Sequence, residues 1–142
     1  MKIIFPFILL FLSLCAEESH EFFGKHFLAS YSGCDFEAIS NIDELLQTMD
    51  EAVESTGATI LNRAYHIFPP SGITIAYLLS ESHATIHTYP EFNACFVDLF
   101  TCGDQCTSEN FDTILRDYLR ASEVDKKLLI RHKGIEETQF IR

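Results

Sequence analysis

The chain has 142 residues, 47% of them hydrophobic and 22% charged, enough for one compact domain with a single core and too few for a second. A formal net charge of −11 with no block of Lys or Arg rules against nucleic acid as a partner, because nothing would neutralise a run of phosphates. An acidic surface favours encounter with a cation without specifying one.

Met1 and Lys2 precede an apolar run over residues 3–14, broken only by Pro6 and Ser13. The run is too short for a hydrocarbon core, which takes about 20 apolar residues. The small residues around Cys15 and Ala16 complete a secretory-leader pattern. Residues 1–16 are therefore expected to be a leader, and residues 17–142 the folded domain. Four of the five cysteines, Cys34, Cys95, Cys102 and Cys106, fall in that domain. Their spacing fits neither a disulfide framework nor a paired zinc knuckle, so they read as free thiols.

From Gly24 onward the pattern is α+β. Residues 26–31 read as a short strand ending at Gly33-Cys34-Asp35. Asn41 is placed to cap a helix whose apolar stripe runs through Ile42, Leu45, Leu46, Met49, Ala52 and Val53 until Gly57 stops it, with Asp43 and Glu44 at its positive end. Three β-rich runs follow at residues 59–68, 72–79 and 93–101, and the turn Pro69-Pro70-Ser71-Gly72 makes the first two antiparallel neighbours. A second helix starts after Thr107-Ser108, with Phe111, Ile114, Leu115, Tyr118 and Leu119 on one face, and residues 126–130 read as a last strand. The expected fold is a two-layer α/β sandwich, a mainly antiparallel sheet with helices on one face and the other face free for a partner.

The chemistry is concentrated between Ser80 and Asp104, where hydroxyls, two imidazoles, carboxylates and a thiol crowd together. His83 and His87 have zinc-helix spacing, but Thr85, Ile86 and Pro90 argue for a strand or turn. There, residues four apart lie about 13 Å from one another and cannot share an ion. Zinc held by one of these histidines with Cys102 and Cys106 stays open, as does hydrolysis with Ser82 or Cys102 as nucleophile and His87 as base. Ser82 nevertheless lacks the glycines of a nucleophile elbow.

Ser80-Glu81-Ser82-His83, Ile86-His87-Thr88-Tyr89-Pro90-Glu91 and Asp98-Leu99-Phe100-Thr101-Cys102-Gly103 resemble the signature of the short prokaryotic S-adenosylmethionine decarboxylases. The likeness extends to Gly24-Lys25-His26, Gly33-Cys34-Asp35, Gly57-Ala58-Thr59-Ile60 and the His66, Phe68, Pro70 and Gly72 segment. It implies a self-cleaving proenzyme. Ser82 would attack the carbonyl of Glu81, and elimination would release a β chain ending at Glu81 and leave an α chain that starts at position 82 as a pyruvoyl group. That group would form a Schiff base with substrate, and no metal is expected. By the same resemblance His87 is the processing base, Cys102 the proton donor, and Phe68 and Glu91 contact the substrate, S-adenosylmethionine, on the way to spermidine.

A homodimer is expected, since the open sheet face needs cover and the family's sites lie near a protomer interface. Tyr89 stands where the family has Trp, beside the substrate pocket, so arginine or ornithine remains an alternative substrate and a non-catalytic regulatory paralogue a second alternative. Localisation stays open between export, from the leader, and the cytoplasm, from the resemblance.

Overall fold

The computed structural model describes residues 22–102, 106–132 and, for the backbone alone, 135–140. The leader-like segment 1–16 and the signature residues Gly103 and Asp104 lie outside the described residues. Seven strands form one antiparallel sheet: β1 (Phe23–Ser32), β2 (Ile60–Phe68), β3 (Gly72–Leu79), β4 (Ser82–Tyr89), β5 (Ala94–Thr101), β6 (Glu123–His132) and β7 (Ile135–Phe140), in the order β2-β3-β4-β5-β1-β6-β7. Three helices pack on it: α1 (Phe36–Ser40), α2 (Ile42–Glu54) and α3 (Glu109–Leu119). The fold is the α+β sandwich expected from the sequence.

Strand alternation separates two faces. Phe27, Ala29 and Tyr31 of β1, Ile73, Ile75, Tyr77 and Leu79 of β3, Ala84 and Ile86 of β4, and Val97 and Leu99 of β5 are buried with Leu45, Met49 and Val53 of α2 and Phe111, Leu115 and Leu119 of α3 in one core. Asn41 caps α2 as expected, its Oδ1 accepting from the Glu44 amide at 3.3 Å. After α2, Gly57 takes φ 86, a conformation that costs other residues more. The α3 side is fixed by a polar anchor under the apolar layer. Asp112, 7% exposed, accepts from the Tyr31 hydroxyl and from Lys126 Nζ, each at 2.6 Å.

The opposite face carries His26 and Leu28 of β1, Thr74, Ala76 and Leu78 of β3, His83, Thr85, His87 and Tyr89 of β4, and Phe96, Asp98 and Phe100 of β5. Leu78, opposite His83, stands there at 56% exposure, and toward the other end of β4 Tyr89 and Phe96, their rings 5.5 Å apart, stand at 39% and 54%, exposed apolar side chains of the kind found at interaction surfaces.

Two features, a short helix and an outer strand, went unread in the sequence, and a third segment reads there only as strand or turn. The helix α1 is five residues long, too short for periodicity to register, and rests on its Asp35 cap, which accepts from the Ala38 amide at 3.1 Å. Residues 82–89 form a full strand joined to β3 by a two-residue turn, and β7 adds an outer strand. Cys34, Cys95 and Cys106 are buried free thiols and Cys102 is an exposed one, as expected.

Candidate active site

The turn between β3 and β4 consists of Ser80 and Glu81 alone, with Leu79 opposite Ser82. Two-residue hairpins are best served by turns with positive φ at the loop positions. Here neither loop residue has it; the positive φ falls instead on Ser82, at 149, a backbone region that side-chain-bearing residues avoid. Three contacts hold the turn in place. The Ser80 amide donates to the Thr59 carbonyl at 2.9 Å, the Thr59 amide donates to Glu81 Oε2 at 2.9 Å, and the Cys102 amide donates to the Glu81 carbonyl at 2.9 Å.

Register completes this corner. Ser82 pairs with Thr101 across β4 and β5, which puts Cys102 just past the end of β5. The Ser82 hydroxyl and the Cys102 thiol are 3.3 Å apart. A hydroxyl therefore adjoins a peptide carbonyl already polarised by a backbone N–H, with a thiol beside both.

The other expected residues gather at the far end of β4. Phe68, His87 and Glu91 line one cavity of about 830 Å³ together with Phe36, Thr74 and Tyr89, a size suited to a ligand larger than an amino acid. Phe68 ends β2, half exposed, with its ring edge-on to His66. Glu91 lies in the tight turn Pro90–Phe92, closed by Asn93 at φ 50. Asn93 Nδ2 also donates to the Cys34 carbonyl at 3.0 Å. The His87 ring is oriented by Thr74, whose Oγ1 is 2.9 Å from Nδ1.

The sequence reading had not singled out Thr74. Its signal was the turn, because placing two residues between Leu79 and Ser82 puts Thr74 opposite His87. Nor had it singled out Phe36 or the backbone donors of Thr59 and Cys102, which no side-chain motif announces.

Ser82 and Cys102 are thus brought together, whereas His87 is five strand residues from Ser82, about 16 Å at the usual rise. Within one chain the imidazole cannot reach the hydroxyl. His83 is Ser82's neighbour, but its Nε2 lies 3.6 Å from Asp98 Oδ1, as does Nε2 of His26. Burial holds the His26 imidazole below its ordinary pKa, opposed by the adjacent Asp98 carboxylate. Gly24 lets the Phe100 ring lie against the backbone beside this group, since a Cβ there would sit 2.5 Å from the ring and force it to shift.

The model of the family described as S-adenosylmethionine decarboxylase matches residues 25–132. A relative from Thermosipho africanus named S-adenosylmethionine decarboxylase proenzyme is 41% identical over 101 residues, 71% of this chain and 78% of that protein. One of the same name from Fervidobacterium nodosum is 48% identical over 81 residues, 57% of this chain and 59% of that protein. The crystal structure of the adenosylmethionine decarboxylase from Aquifex aeolicus superposes with a TM-score of 0.71 at 30% identity, covering 86% of this chain and 99% of that one. With a family match across most of its length and a shared sheet-and-helix architecture, the chain belongs to the S-adenosylmethionine decarboxylase family.

Proposed function

We propose that this chain is a proenzyme that cuts itself between Glu81 and Ser82 and then decarboxylates S-adenosylmethionine at the new terminus, supplying an aminopropyl donor for spermidine. The observation that carries the reading is the corner around Ser82: a strained serine, a thiol 3.3 Å away, and a Glu81 carbonyl that accepts from the Cys102 amide at 2.9 Å. In the processing step Ser82 Oγ adds to the Glu81 carbonyl carbon, and the Cys102 N–H stabilises the negative oxygen that forms. The C–N bond breaks to give an ester and a free amine. A base then removes the Ser82 Cα proton, the Cβ–Oγ bond breaks, and the upstream chain leaves with Glu81 as a terminal carboxylate. The dehydroalanine that remains tautomerises, its nitrogen losing a proton as Cβ gains one, and water hydrolyses the resulting imine, releasing ammonia.

The residues fit the resulting group, because position 82 carries the hydroxyl it is made from and faces a thiol. The pyruvoyl carbonyl supplies the electron sink that an α-amino acid decarboxylation needs and that no ordinary side chain offers. Cys102 is assigned the proton returned to the substrate Cα, its thiol standing 3.3 Å from the Ser82 hydroxyl. Phe68, with Phe36 in the same cavity, offers a ring for the adenine, and Glu91 a carboxylate for ribose hydroxyls. The net negative charge favours approach of a sulfonium cation.

His87 is assigned the base, working in trans. Ser82 with Cys102 and His87 with Phe68 and Glu91 form two halves at opposite ends of β4, too far apart to act within one copy. A two-fold pairing through the open faces, where Leu78, Tyr89 and Phe96 are exposed, sets each half against its complement in the partner. The homodimer is therefore part of the proposed site. Intact-mass analysis of purified protein is expected to show two chains meeting at Glu81 and Ser82, with a carbonyl-bearing N-terminus at position 82 and release of carbon dioxide from S-adenosylmethionine. An uncut chain that still decarboxylates would overturn the processing reading, and turnover of arginine or ornithine instead would overturn the substrate.

A further inference from the structure

One cluster of potential metal ligands plays no part in this chemistry. On the open face, His26 of β1 and His83 of β4 flank Phe100 of β5 from either side, in register with it, and Asp98 stands two residues along β5. Asp98 Oδ1 is 3.6 Å from Nε2 of both imidazoles, beyond hydrogen-bond length, and the three ligand atoms lie within 4.8 Å of one another. His26 Nε2 is buried and has no hydrogen-bond partner. The two nitrogens and the oxygen thus surround a gap that none of them closes.

We propose that His26, His83 and Asp98 bind one divalent transition-metal ion of zinc type, tying β1, β5 and β4 together on the open face. For bonds of about 2.1 Å in a tetrahedral site, ligand atoms stand about 3.4 Å apart, so the two 3.6 Å separations are already close to that, and the two imidazole nitrogens, within 4.8 Å, would close toward it on binding. Two imidazoles and one carboxylate select zinc-like ions over magnesium or calcium, which prefer oxygen. The carboxylate is already oriented for the task. Thr85 Oγ1 donates to Asp98 Oδ2, leaving Oδ1 toward the imidazoles, the outer-shell support that metal carboxylates require. Both rings are wedged against Phe100, at centroid distances of 5.4 and 5.6 Å, and held on strands rather than loops. Three protein ligands leave a coordination position for water.

The role is structural rather than reactive, and it departs from the expectation of no metal drawn from the sequence. The thiol-containing zinc set considered from the sequence differs in every ligand but His83. Among the described residues, this trio is the only group of three or more such side chains close enough to share an ion.

Equilibrium dialysis of the purified full chain against Zn²⁺, with metal analysis, is expected to give one ion per chain. Co²⁺ substitution should give a visible spectrum without a thiolate charge-transfer band. A hundredfold excess of Zn²⁺ over its Kd should raise Tm by about 5 °C or more, reversibly with chelator. His26→Gln and Asp98→Asn are expected to weaken binding at least about 10²-fold, Thr85→Val by about 10-fold, and Cys102→Ser not at all. Circular dichroism in chelator confirms that each variant is folded before its affinity is read. Absence of stoichiometric binding to folded wild-type protein would overturn the proposal. Binding undiminished in His26→Gln and Asp98→Asn, or abolished in Cys102→Ser, would do so as well.

Discussion

The two ends of β4 divide what the proposed active site needs. At the Ser82 end a hydroxyl, a thiol and a polarised carbonyl are locked into a two-residue turn. At the Tyr89 end an imidazole, a carboxylate and aromatic rings line a cavity that includes neither Ser82 nor Cys102. A strand is the reason. Its extended rise keeps residues five apart from touching however suggestive their spacing in sequence, so a motif contiguous in the chain is split in space, and only in the proposed homodimer would a second copy restore what the strand separates.

The largest expected effect removes one end outright. Ser82→Ala takes away the attacking oxygen while leaving the backbone free to stay as it is. Mass spectrometry should then find only full-length chain, with no decarboxylation above background; scission at the same bond would place the nucleophile elsewhere. Cys102→Ala sharpens the division within that same end. It deletes the thiol but keeps the backbone N–H on the Glu81 carbonyl, so cutting is expected to proceed at least in part. Turnover should fall about 10²–10⁴-fold for loss of one positioned acid, and turnover equal to wild type would remove Cys102 from the proton-donor role. At the opposite end Thr74→Val breaks the 2.9 Å contact to His87 Nδ1. The worth of one such hydrogen bond, roughly 1.4 kcal/mol, corresponds to about tenfold slower cutting in a time course read by gel.

The smallest effect leaves both ends alone and tests the platform beneath them. Tyr31→Phe removes one of the two donors to Asp112, while Lys126 remains. Denaturant unfolding is expected to show a loss of about 1 kcal/mol, with the cutting rate of the folded protein unchanged. A large change in cutting would mean that the covered face and the open face are not as separable as strand alternation makes them.

The sequence made the covered face legible because its signals are local and periodic. The α2 stripe from Ile42 to Val53, its Asn41 cap and the apolar alternation of β3 each fall within a few turns of chain. The reactive corner was legible through its motif, but its geometry was not. Nothing in the letters indicates that the Cys102 amide donates to the Glu81 carbonyl, since that contact is made by backbone. His87 illustrates the limit most clearly: its identity is written beside Ser82, and its distance from Ser82 follows only once residues 82–89 are known to be one unbroken strand. His26 and Asp98 lie 72 residues apart and meet only because β1 pairs with β5, so the cluster they form with His83 had no contiguous signature to read.

Division of the site between two copies is tested most directly by complementation. His87→Ala alone is expected to remain uncut, or to stop at an ester that hydroxylamine cleaves at position 82. When it is co-expressed with Ser82→Ala under distinguishable tags, the chain carrying His87→Ala should be cut in the mixed dimer, because its own Ser82 then faces the intact His87 of the partner. Mass analysis of the purified mixed dimer should show that chain split between Glu81 and Ser82 and the Ser82→Ala chain whole. If the His87→Ala chain stays uncut in the mixed dimer, His87 does not act across the interface, and the two ends of β4 do not complete one another.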